Sequence, residues 1–319
     1  MAKEGATVKA HFFWHGSPLS YYERQCLASF VQRGAEVYLH AFDIAMDAPP
    51  GVRKVDAALL AASGEISLYN QRGSTGSPAA FANIFRYRVL GEEPGWWFDT
   101  DIFCIKGPEE FELLEKSCTG ILVGAQNART LNNAVMFVRD TRLAKALEER
   151  ATRKAAASGG SFPWGTLGPQ LMTEFAEDNP ERVTVLPVEA FYPLSYRELD
   201  LLFTPGLISE CRRKAERSFA LHFWNEILMR HHIPKSLGPC EGSYLEELLD
   251  SAGVQGERPP SLPFETFDAL KKAYEFPTGK WELFIIRIMR LLRIQYIKLH
   301  GFPRFKKTGY WNSVGEGRS

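Results

Sequence analysis

Gly95-Trp96-Trp97-Phe98-Asp99-Thr100-Asp101 is a short apolar run that ends in two carboxylates two positions apart. Aromatic residues favour a pleated strand, and Pro94-Gly95 marks a break before it. The acids are therefore predicted at the carboxyl end of a strand. Alternate residues of an extended chain share a face, so Asp99 and Asp101 can address one ligand together. Open α/β sheets bind their ligands at this edge.

This pair of acids suits a hard divalent cation, Mg²⁺ or Mn²⁺, because carboxylate oxygens are preferred ligands of these metals. A metal held there would neutralise charge on a leaving diphosphate. The same residues also fit a strand end whose acids cap a helix or face water, because an Asp-x-Asp triplet is a weak signal by itself.

The start of the chain indicates an α/β fold. Residues 8–13 are predicted to form a buried strand, Ser20 to Glu23 a capping box that opens a helix ending at Gly34, and residues 36–42 the next strand. This β-α-β order implies a parallel pair with a right-handed crossover.

The rest of the core pattern continues the alternation of helices and strands. The sequence predicts a loop at 49–51, a helix over 83–90 capped by Ser77-Pro78, strands at 120–125 and 134–138, a helix over 141–157 ended by Gly159-Gly160, and a loop at 158–169. That last loop fits a lid, an acceptor wall or a plain surface connection.

Composition limits the function classes. With 319 residues, 45% hydrophobic and 24% charged, the chain fits one large α/β domain with an appendage. Lys+Arg and Asp+Glu balance at 38 each, which does not indicate a nucleic-acid partner. The five cysteines lack Cys-x-x-Cys spacing and indicate a reducing compartment rather than a zinc site. We see no basic, apolar leader and no membrane-spanning segment, so we expect a cytoplasmic protein.

A proline-rich stretch near residue 259 predicts a boundary between a domain of residues 1–258 and an extension of residues 259–319. After Glu282 the segment up to Lys307 contains no acid but several arginines and lysines, which group opposite an apolar stripe on a helical wheel. A basic amphipathic helix of this type lies on anionic membranes. It would equally pack its apolar side on the catalytic domain.

Residues 77–101 resemble the sugar-nucleotide-binding region of DXD-containing glycosyltransferases. The resemblance is to glycosyltransferase family 32 and its capsular polysaccharide synthesis relatives, with the large clostridial glucosylating toxins more distant. The family pairs an Asp-x-x-Arg-Tyr-x-x-Leu helix with a Gly-Gly-aromatic-aromatic-x-Asp-x-Asp strand. Arg86-Tyr87 fits this helix, but Asn83 replaces its aspartate and Pro94 replaces the first glycine.

Four further stretches are similar in type and order to family segments, so the resemblance covers roughly residues 8–230: residues 10–43, 132–136, 164–169 and 221–225. The resemblance implies an A-type glycosyltransferase fold, a Rossmann-like mixed sheet with the DXD motif at a strand end, followed here by a C-terminal helical appendage.

The resemblance also implies roles for the acids. Asp101 would bind the metal directly, Asp99 would hold the ribose or a sugar hydroxyl as well as assist the metal, and His222 would complete the metal site. A core histidine with one hydrogen bond is the alternative for His222.

Donor-binding roles follow from the same resemblance. Arg86 would contact the donor sugar or phosphate, Trp14 would stack on the nucleotide base, and Asn83 would touch the donor sugar. Asn132 and Asn133 would face the donor or acceptor. The alternatives are a surface ion pair for Arg86, a core aromatic for Trp14 and turn formation for the two asparagines.

The sequence as a whole predicts a metal-dependent, retaining hexosyltransferase that moves a sugar from a UDP- or GDP-sugar to a glycan or lipid-linked acceptor in surface polysaccharide synthesis. Retention rests on the resemblance alone. One rival is a non-catalytic glycan- or nucleotide-binding module, which Asn83 would favour. The other is an aspartate-nucleophile phosphatase, which would require threonine where Phe103 stands.

Overall fold

The computed structural model describes residues 7–16, 18–66, 78–158, 162–253 and 258–275. These residues form nine strands: β1 (Lys9–Trp14), β2 (Glu36–Ala41), β3 (Val52–Asp56), β4 (Gly95–Phe98), β5 (Ile102–Cys104), β6 (Ile121–Asn127), β7 (Thr130–Val138), β8 (Val183–Leu186) and β9 (Ala220–His222). They also form ten α-helices: α1 (Tyr21–Gln32), α2 (Ala79–Glu92), α3 (Pro108–Ser117), α4 (Thr141–Ala157), α5 (Leu171–Asp178), α6 (Leu199–Phe203), α7 (Ile208–Ala215), α8 (Asn225–Arg230), α9 (Tyr244–Ser251) and α10 (Phe264–Glu275).

Seven of the strands form one mixed sheet in the order β3-β2-β1-β4-β7-β6-β8. The strands β3, β2, β1 and β4 run parallel, whereas β7 is antiparallel to both β4 and β6. The predicted α/β class with a mixed sheet is confirmed, and the position of the acids after β4 agrees with the predicted A-type glycosyltransferase fold.

Strand β4 is buried on both faces because its successive side chains enter different cores. Trp96 packs edge-on against Phe111, with ring centroids 5.0 Å apart, and belongs to the larger core. Trp97 packs toward Phe85 of α2 in the second core. The strand is thereby fixed between two layers of helices, and Asp99 follows directly at its carboxyl end.

Helix α1 begins as predicted. The backbone N–H of Ser20 donates to Glu23 Oε2 at 3.0 Å, which is one half of the capping box. Its inward side carries Leu27 and Phe30, both fully buried. Strands β1 and β2, which precede and follow this helix in the chain, pair in parallel, as the β-α-β pattern predicts.

Three local features differ from the sequence analysis. Helix α2 starts at Ala79 with Pro78 as its N-cap, so it is longer than the predicted 83–90; Ser77 lies outside the described residues. Residues 52–56, which carried no strand prediction, form β3 at the edge of the sheet. Asn132 and Asn133 lie within β7 rather than in a turn.

A bulge explains the asparagine pair. The register of β6 against β7 shifts after Val123, and the N–H of Ala134 donates to Asn132 Oδ1 at 2.8 Å. The amide side chain supplies an acceptor at the irregular point of the ladder, so an asparagine is accommodated inside a strand.

A second, two-stranded sheet pairs β5 with β9, with Ile102 opposite His222. Since β5 begins immediately after Asp101, this pairing brings a segment more than a hundred residues later in the chain to the acids. The five cysteines are all buried and none forms a disulfide.

The last described helix packs on the core. Phe267 of α10 stacks on Phe203 with ring centroids 4.6 Å apart, and Leu262 N–H donates to Gly238 O at 3.0 Å. The predicted basic helix of the tail lies outside the described residues, and the boundary at residue 259 stays a prediction. Within the described ranges, no helix has the length and apolar character needed to cross a lipid bilayer.

Candidate active site

Asp101 is held by the segment that pairs with β5. Its Oδ2 atom lies 3.1 Å from His222 Nε2 and accepts the backbone N–H of Asn225 at 2.7 Å. Its backbone carbonyl accepts the N–H of Phe223 at 2.9 Å. Asp101 and His222 are both buried, with 8% and 7% of their surface exposed. The strand pairing and the side-chain contacts therefore fix the carboxylate from two directions.

The turn that delivers the N–H of Asn225 is conformationally costly. Trp224 has φ of 53°, in the left-handed region that bulky residues seldom adopt. Its indole donates to Leu194 O at 2.9 Å, and its ring centroid lies 4.1 Å from that of His222. These contacts stabilise a backbone turn that points an amide at a carboxylate.

The electrostatics keep Asp101 ionised. Burial alone would raise the pKa of its carboxyl group, but the interactions with His222, the backbone hydrogen bond from Asn225 and the charge of Lys235 outweigh it and lower the pKa to about 2. The carboxylate is therefore available as an anionic ligand throughout the physiological range of pH.

Behind Asp101 lies a second buried carboxylate. Glu23 of α1 is fully buried, accepts the side-chain amide of Asn225 at 2.8 Å, and forms an ion pair with Lys235. Asn225 thus links the two acids, with its backbone on Asp101 and its side chain on Glu23. We call Asp101, His222, Asn225, Glu23 and Lys235 the Asp101 cluster.

Asp99 has a different set of partners. Its Oδ1 atom accepts from Arg86 Nη2 and from Trp97 Nε1, both at 2.9 Å. Arg86 is 3% exposed, donates to the carbonyl of Asn133, and its guanidinium carbon lies 5.3 Å from the centre of a Trp97 ring. The alternative of a surface ion pair for Arg86 is wrong, because the guanidinium is buried against β4 and β7.

Partial burial raises the pKa of Asp99, and the negative charge of Asp101 adds to that rise, while the charge of Arg86 opposes it. The Asp99 side chain is 32% exposed, so one part of it remains open to solvent at the edge of the sheet.

Asn133 ties helix α2 to strand β7. Its Nδ2 donates to Asn83 Oδ1 and to Tyr87 Oη, both at 2.9 Å. Tyr87 Oη in turn donates to Leu167 O at 3.1 Å. Gly168, the next residue, packs tightly against this network, since a Cβ atom added to it would lie 2.7 Å from Asn83 Oδ1. We call Asp99, Arg86, Trp97, Asn133, Asn83 and Tyr87 the Asp99 cluster.

The remaining predicted donor residues lie nearby. Trp14 is half-buried at the carboxyl end of β1, which runs parallel to β4, so it lies at the same edge as the acids. The side chain of Asn132 is 5% exposed and donates from Nδ2 to Gln126 Oε1 at 2.9 Å, while its carbonyl accepts from Tyr192 Oη at 3.1 Å. Asn132 therefore shapes the bulge of β7 beside the site.

The described residues do not contain a group of three or more His, Cys, Asp or Glu side chains that could hold a metal ion. Asp99 Oδ1 is bound to Arg86 and Trp97. Asp101 supplies an ionised carboxylate that suits a divalent cation, and His222 would join it through Nε2, the ring nitrogen that lies 3.1 Å from Asp101 Oδ2. Mg²⁺ is commonly held by one or two carboxylates together with substrate phosphates.

Sequence analysis gave no site role to several residues of both clusters. Trp97 and Tyr87 belong to the quoted motifs, Glu23 registers only as part of the capping box of α1, and Lys235 carries no motif signal. Contacts between residues more than two hundred positions apart, such as Glu23 with Asn225 and Lys235, have no local signature in one sequence.

The comparisons with known proteins include a match to the segment that contacts Asp101. Residues 161–239 match the family model described as "Alpha 1,4-glycosyltransferase conserved region". The chain carries a glycosyltransferase region. That region supplies His222 and Asn225 to Asp101, and the prediction of a glycosyltransferase of this kind is confirmed.

The lactosylceramide 4-alpha-galactosyltransferases of Pongo pygmaeus and Homo sapiens are each 29% identical to this chain over 152 residues. The alignments cover 44% of the chain, and 65% and 40% of the two relatives. The chain thus spans less than two thirds of the length of these relatives.

A solved structure, the apo-form glycosyltransferase GlyE of Streptococcus pneumoniae TIGR4, is similar over 86% of this chain and 66% of its own, with 12% identity and a TM-score of 0.47. Mouse xyloside xylosyltransferase 1 in its apo form matches 68% of this chain and 97% of its own, with 16% identity and a TM-score of 0.39.

Proposed function

We propose that this protein is a divalent-metal-dependent glycosyltransferase that moves a hexose from a nucleotide-sugar donor to a glycan or lipid-linked acceptor. The observation that carries the proposal is the contact between the glycosyltransferase region and the acid after β4: His222 and Asn225 both lie on Asp101. The segment that matches the family model thus meets the acid at the edge where α/β sheets bind ligands, which supports the proposal.

The two acids would have different roles in the reaction. Glycosyl transfer separates a cation-like sugar from an anionic diphosphate, so both charges need stabilisation. Asp101 and His222 would hold Mn²⁺ or Mg²⁺, and the metal would supply Lewis-acid neutralisation of the leaving diphosphate. Asp99, oriented by Arg86 and Trp97, keeps a partly exposed carboxylate that would accept a ribose or sugar hydroxyl.

Retention at the anomeric carbon is part of the proposal and is drawn from the family resemblance. In a front-face reaction the leaving diphosphate itself would take the acceptor proton, so no second carboxylate is needed as nucleophile. Trp14, at the same edge of the sheet, would stack on the base of a UDP- or GDP-sugar.

The relatives suggest the first substrates to test. Their names describe galactosyl transfer to lactosylceramide, so UDP-galactose is the first donor and a lactose-terminated glycolipid the first acceptor. A role in surface polysaccharide synthesis would predict transfer to a bacterial lipid-linked glycan instead, and both acceptors belong in the assay.

The direct experiment measures nucleotide release from a panel of UDP- and GDP-sugars with Mn²⁺, Mg²⁺ or EDTA. We expect release with one donor to exceed the others and to stop in EDTA. Release that continues unchanged in EDTA would contradict the metal-dependent proposal. Equilibrium binding of a donor without any release would instead favour the non-catalytic module.

The structure weakens the sequence argument for that rival. Asn83 Oδ1 accepts a hydrogen bond from Asn133, so the substitution of asparagine for aspartate leaves an acceptor at the position where β7 requires one. No observation favours the phosphatase, whose nucleophile would have to be free of the Arg86 ion pair made by Asp99.

Attachment to a membrane surface is a separate part of the proposal. The sequence from Trp281 to Lys307 contains seven arginines and lysines and no acid after Glu282, and each basic residue contributes about 1 kcal/mol at an anionic leaflet. Full-length protein should co-sediment with anionic liposomes at low salt, and a chain ended after Phe276 should not. Equal sedimentation of the two proteins would contradict membrane binding.

A further inference from the structure

A cleft separate from the two acid clusters opens beside the glycosyltransferase region. It has a volume of about 420 Å³, within the usual range of small-molecule sites. One wall is the turn between β6 and β7, with Arg129 and Thr130. The second is the segment from Trp164 to Gln170, and the third is the outer face of α5.

This cleft lies at the same edge of the sheet as the acids. Strand β7 runs antiparallel to β4, and the carbonyl of Ala134 accepts the N–H of Asp99. Thr130 lies four residues earlier on β7, about 13 Å farther out along the strand. The segment 164–170 also reaches the Asp99 cluster, since Gly168 packs against the side chains of Asn83 and Asn133.

The walls of the cleft are tied to one another. Thr173 of α5 accepts the N–H of Leu131 at 3.0 Å and donates to Pro169 O at 2.7 Å, so one hydroxyl joins all three walls. On α5, Glu174 accepts from Gln170 at 2.8 Å and from Lys154 at 2.7 Å. The shape is therefore set by hydrogen bonds within the chain, as expected of a preformed binding site.

Trp164 gives the cleft its chemical character. Large apolar side chains are normally buried, yet this indole is 37% exposed at the cleft. The guanidinium carbon of Arg230 lies 5.4 Å from the centre of its ring, which fixes the position of the side chain. Arg230 covers one side of the indole, and the exposed part lies among hydroxyl, amide and carboxylate groups. This combination suits a sugar ring, which is apolar on its C–H face and polar at its rim.

We propose that this cleft binds a neutral pyranose unit of the acceptor glycan, with Trp164 packed against the face of the sugar ring. The inference rests on the proposed function, because it assigns the acceptor side of that same transfer. Around the indole, Arg129, Gln170 and the carboxylates of Glu174 and Glu177 supply both donors and acceptors for sugar hydroxyls. Glu174 is paired with Lys154, and the lining has no excess of positive charge that would select an anionic sugar.

The first test measures sugar binding without any donor. Saturation-transfer NMR of the full chain with lactose, maltose, cellobiose and chitobiose should detect at least one of them. Trp164→Ala should weaken that binding about tenfold, while Trp164→Phe, which keeps an aromatic face, should stay within about threefold of wild type. Leu113→Ala, which truncates a side chain 66% exposed on α3, is the matched control and should bind as wild type.

A second measurement needs no variant. Hydrogen exchange of the wild-type chain with and without the bound disaccharide should slow in residues 129–131 and 164–177. Protection confined to other regions would place the sugar elsewhere and overturn the inference, as would the failure of all four disaccharides to bind.

The kinetic test separates this inference from the proposed function. In the presence of a donor that is hydrolysed, Trp164→Ala should lower the ratio of sugar transfer to water hydrolysis about tenfold, through a higher KM for the acceptor. A parallel fall in transfer and hydrolysis would show that the segment supports the donor site instead. If the wild type releases no nucleotide from any donor, the proposed function fails, and Trp164-dependent sugar binding alone decides whether the cleft recognises glycans.

Discussion

The two acids after β4 lie two residues apart yet in opposite environments. In the Asp99 cluster the charge is balanced by Arg86, and 32% of the Asp99 side chain is exposed. In the Asp101 cluster the side chain of Asp101 is 10% exposed, and its partners are an imidazole and a backbone amide. A guanidinium satisfies Asp99 permanently, whereas His222 and Asn225 hold Asp101 in place while leaving an anionic group to meet a cation.

Strand β4 ends at Phe98, and Ile102 N–H donates to Asp99 O at 3.0 Å in a turn, so the alternation that would place both acids on one face does not continue to Asp101. Alternation predicts that both side chains reach one ligand. Arg86 of helix α2 binds Asp99, and the backbone N–H of Asn225, in the turn after β9, binds Asp101. We therefore expect the Asp99 cluster to govern stability and donor orientation, and the Asp101 cluster to govern metal-dependent chemistry.

The largest expected effect is on activity at Asp101. Asp101→Asn keeps the side-chain volume and an acceptor for the N–H of Asn225 but removes the charge that would hold the metal. Donor hydrolysis in Mn²⁺ should fall by about 10²- to 10³-fold, as measured by nucleotide release, while circular dichroism shows a folded protein. Asp178→Asn, in an exposed ion pair with Arg150, is the control. Wild-type turnover in Asp101→Asn would place the metal site elsewhere.

The next effect is on stability at Arg86. Arg86→Met leaves the carboxylate of Asp99 and the carbonyl of Asn133 without their buried donor, so the free energy of unfolding should fall by about 2–3 kcal/mol. Urea unfolding measures this loss. Arg150→Met removes an exposed pair and should change stability by under about 0.5 kcal/mol.

A double variant tests whether the charge of Asp99 causes that loss. Adding Asp99→Asn to Arg86→Met should recover about 1 kcal/mol, because the neutral amide needs no counter-charge. If the double variant is as unstable as the sum of both single variants, the loss comes from packing against Trp97 and not from the ion pair.

Sequence analysis located the strand with its acids, the capping box of α1 and helix α4 because each depends on neighbours in the chain. It predicted Thr141–Ala157 with both ends correct, since leucine and alanine spacing defines a helix locally. The contacts of Asp101 with Asn225 and of Glu23 with Lys235 join distant segments, so no local pattern carries them. The alternative of turn formation for Asn132 and Asn133 is wrong, because both lie in β7 and the bulge beside them depends on β6.

A smaller effect is expected where the segment 164–170 meets the Asp99 cluster. Gly168→Ala would place a Cβ atom 2.7 Å from Asn83 Oδ1 and 2.9 Å from Asn133 Oδ1. The surrounding atoms must shift to make room for the added Cβ atom, and this shift should lower the free energy of unfolding by about 1–2 kcal/mol. Gly64→Ala is the control, because a Cβ atom there would meet no atom within 4 Å. An unchanged melting curve for Gly168→Ala would mean that the segment moves away from α2 at little cost.

The smallest and most selective effect compares the two indoles of β4. Trp97 donates to Asp99 at 2.9 Å on one face of the strand, and Trp96 donates to Glu115 at 2.8 Å on the other. Trp97→Phe and Trp96→Phe each remove one N–H bound to a carboxylate and leave a smaller aromatic ring in a buried position, so both should lose a similar amount of stability, about 1–2 kcal/mol. Only Trp97→Phe frees one constraint on Asp99, and it should raise the KM for the donor about threefold to fivefold relative to Trp96→Phe. Equal donor KM values in the two variants would mean that the orientation of Asp99 is set by Arg86 alone, and a larger change in Trp96→Phe would remove Asp99 from the donor site.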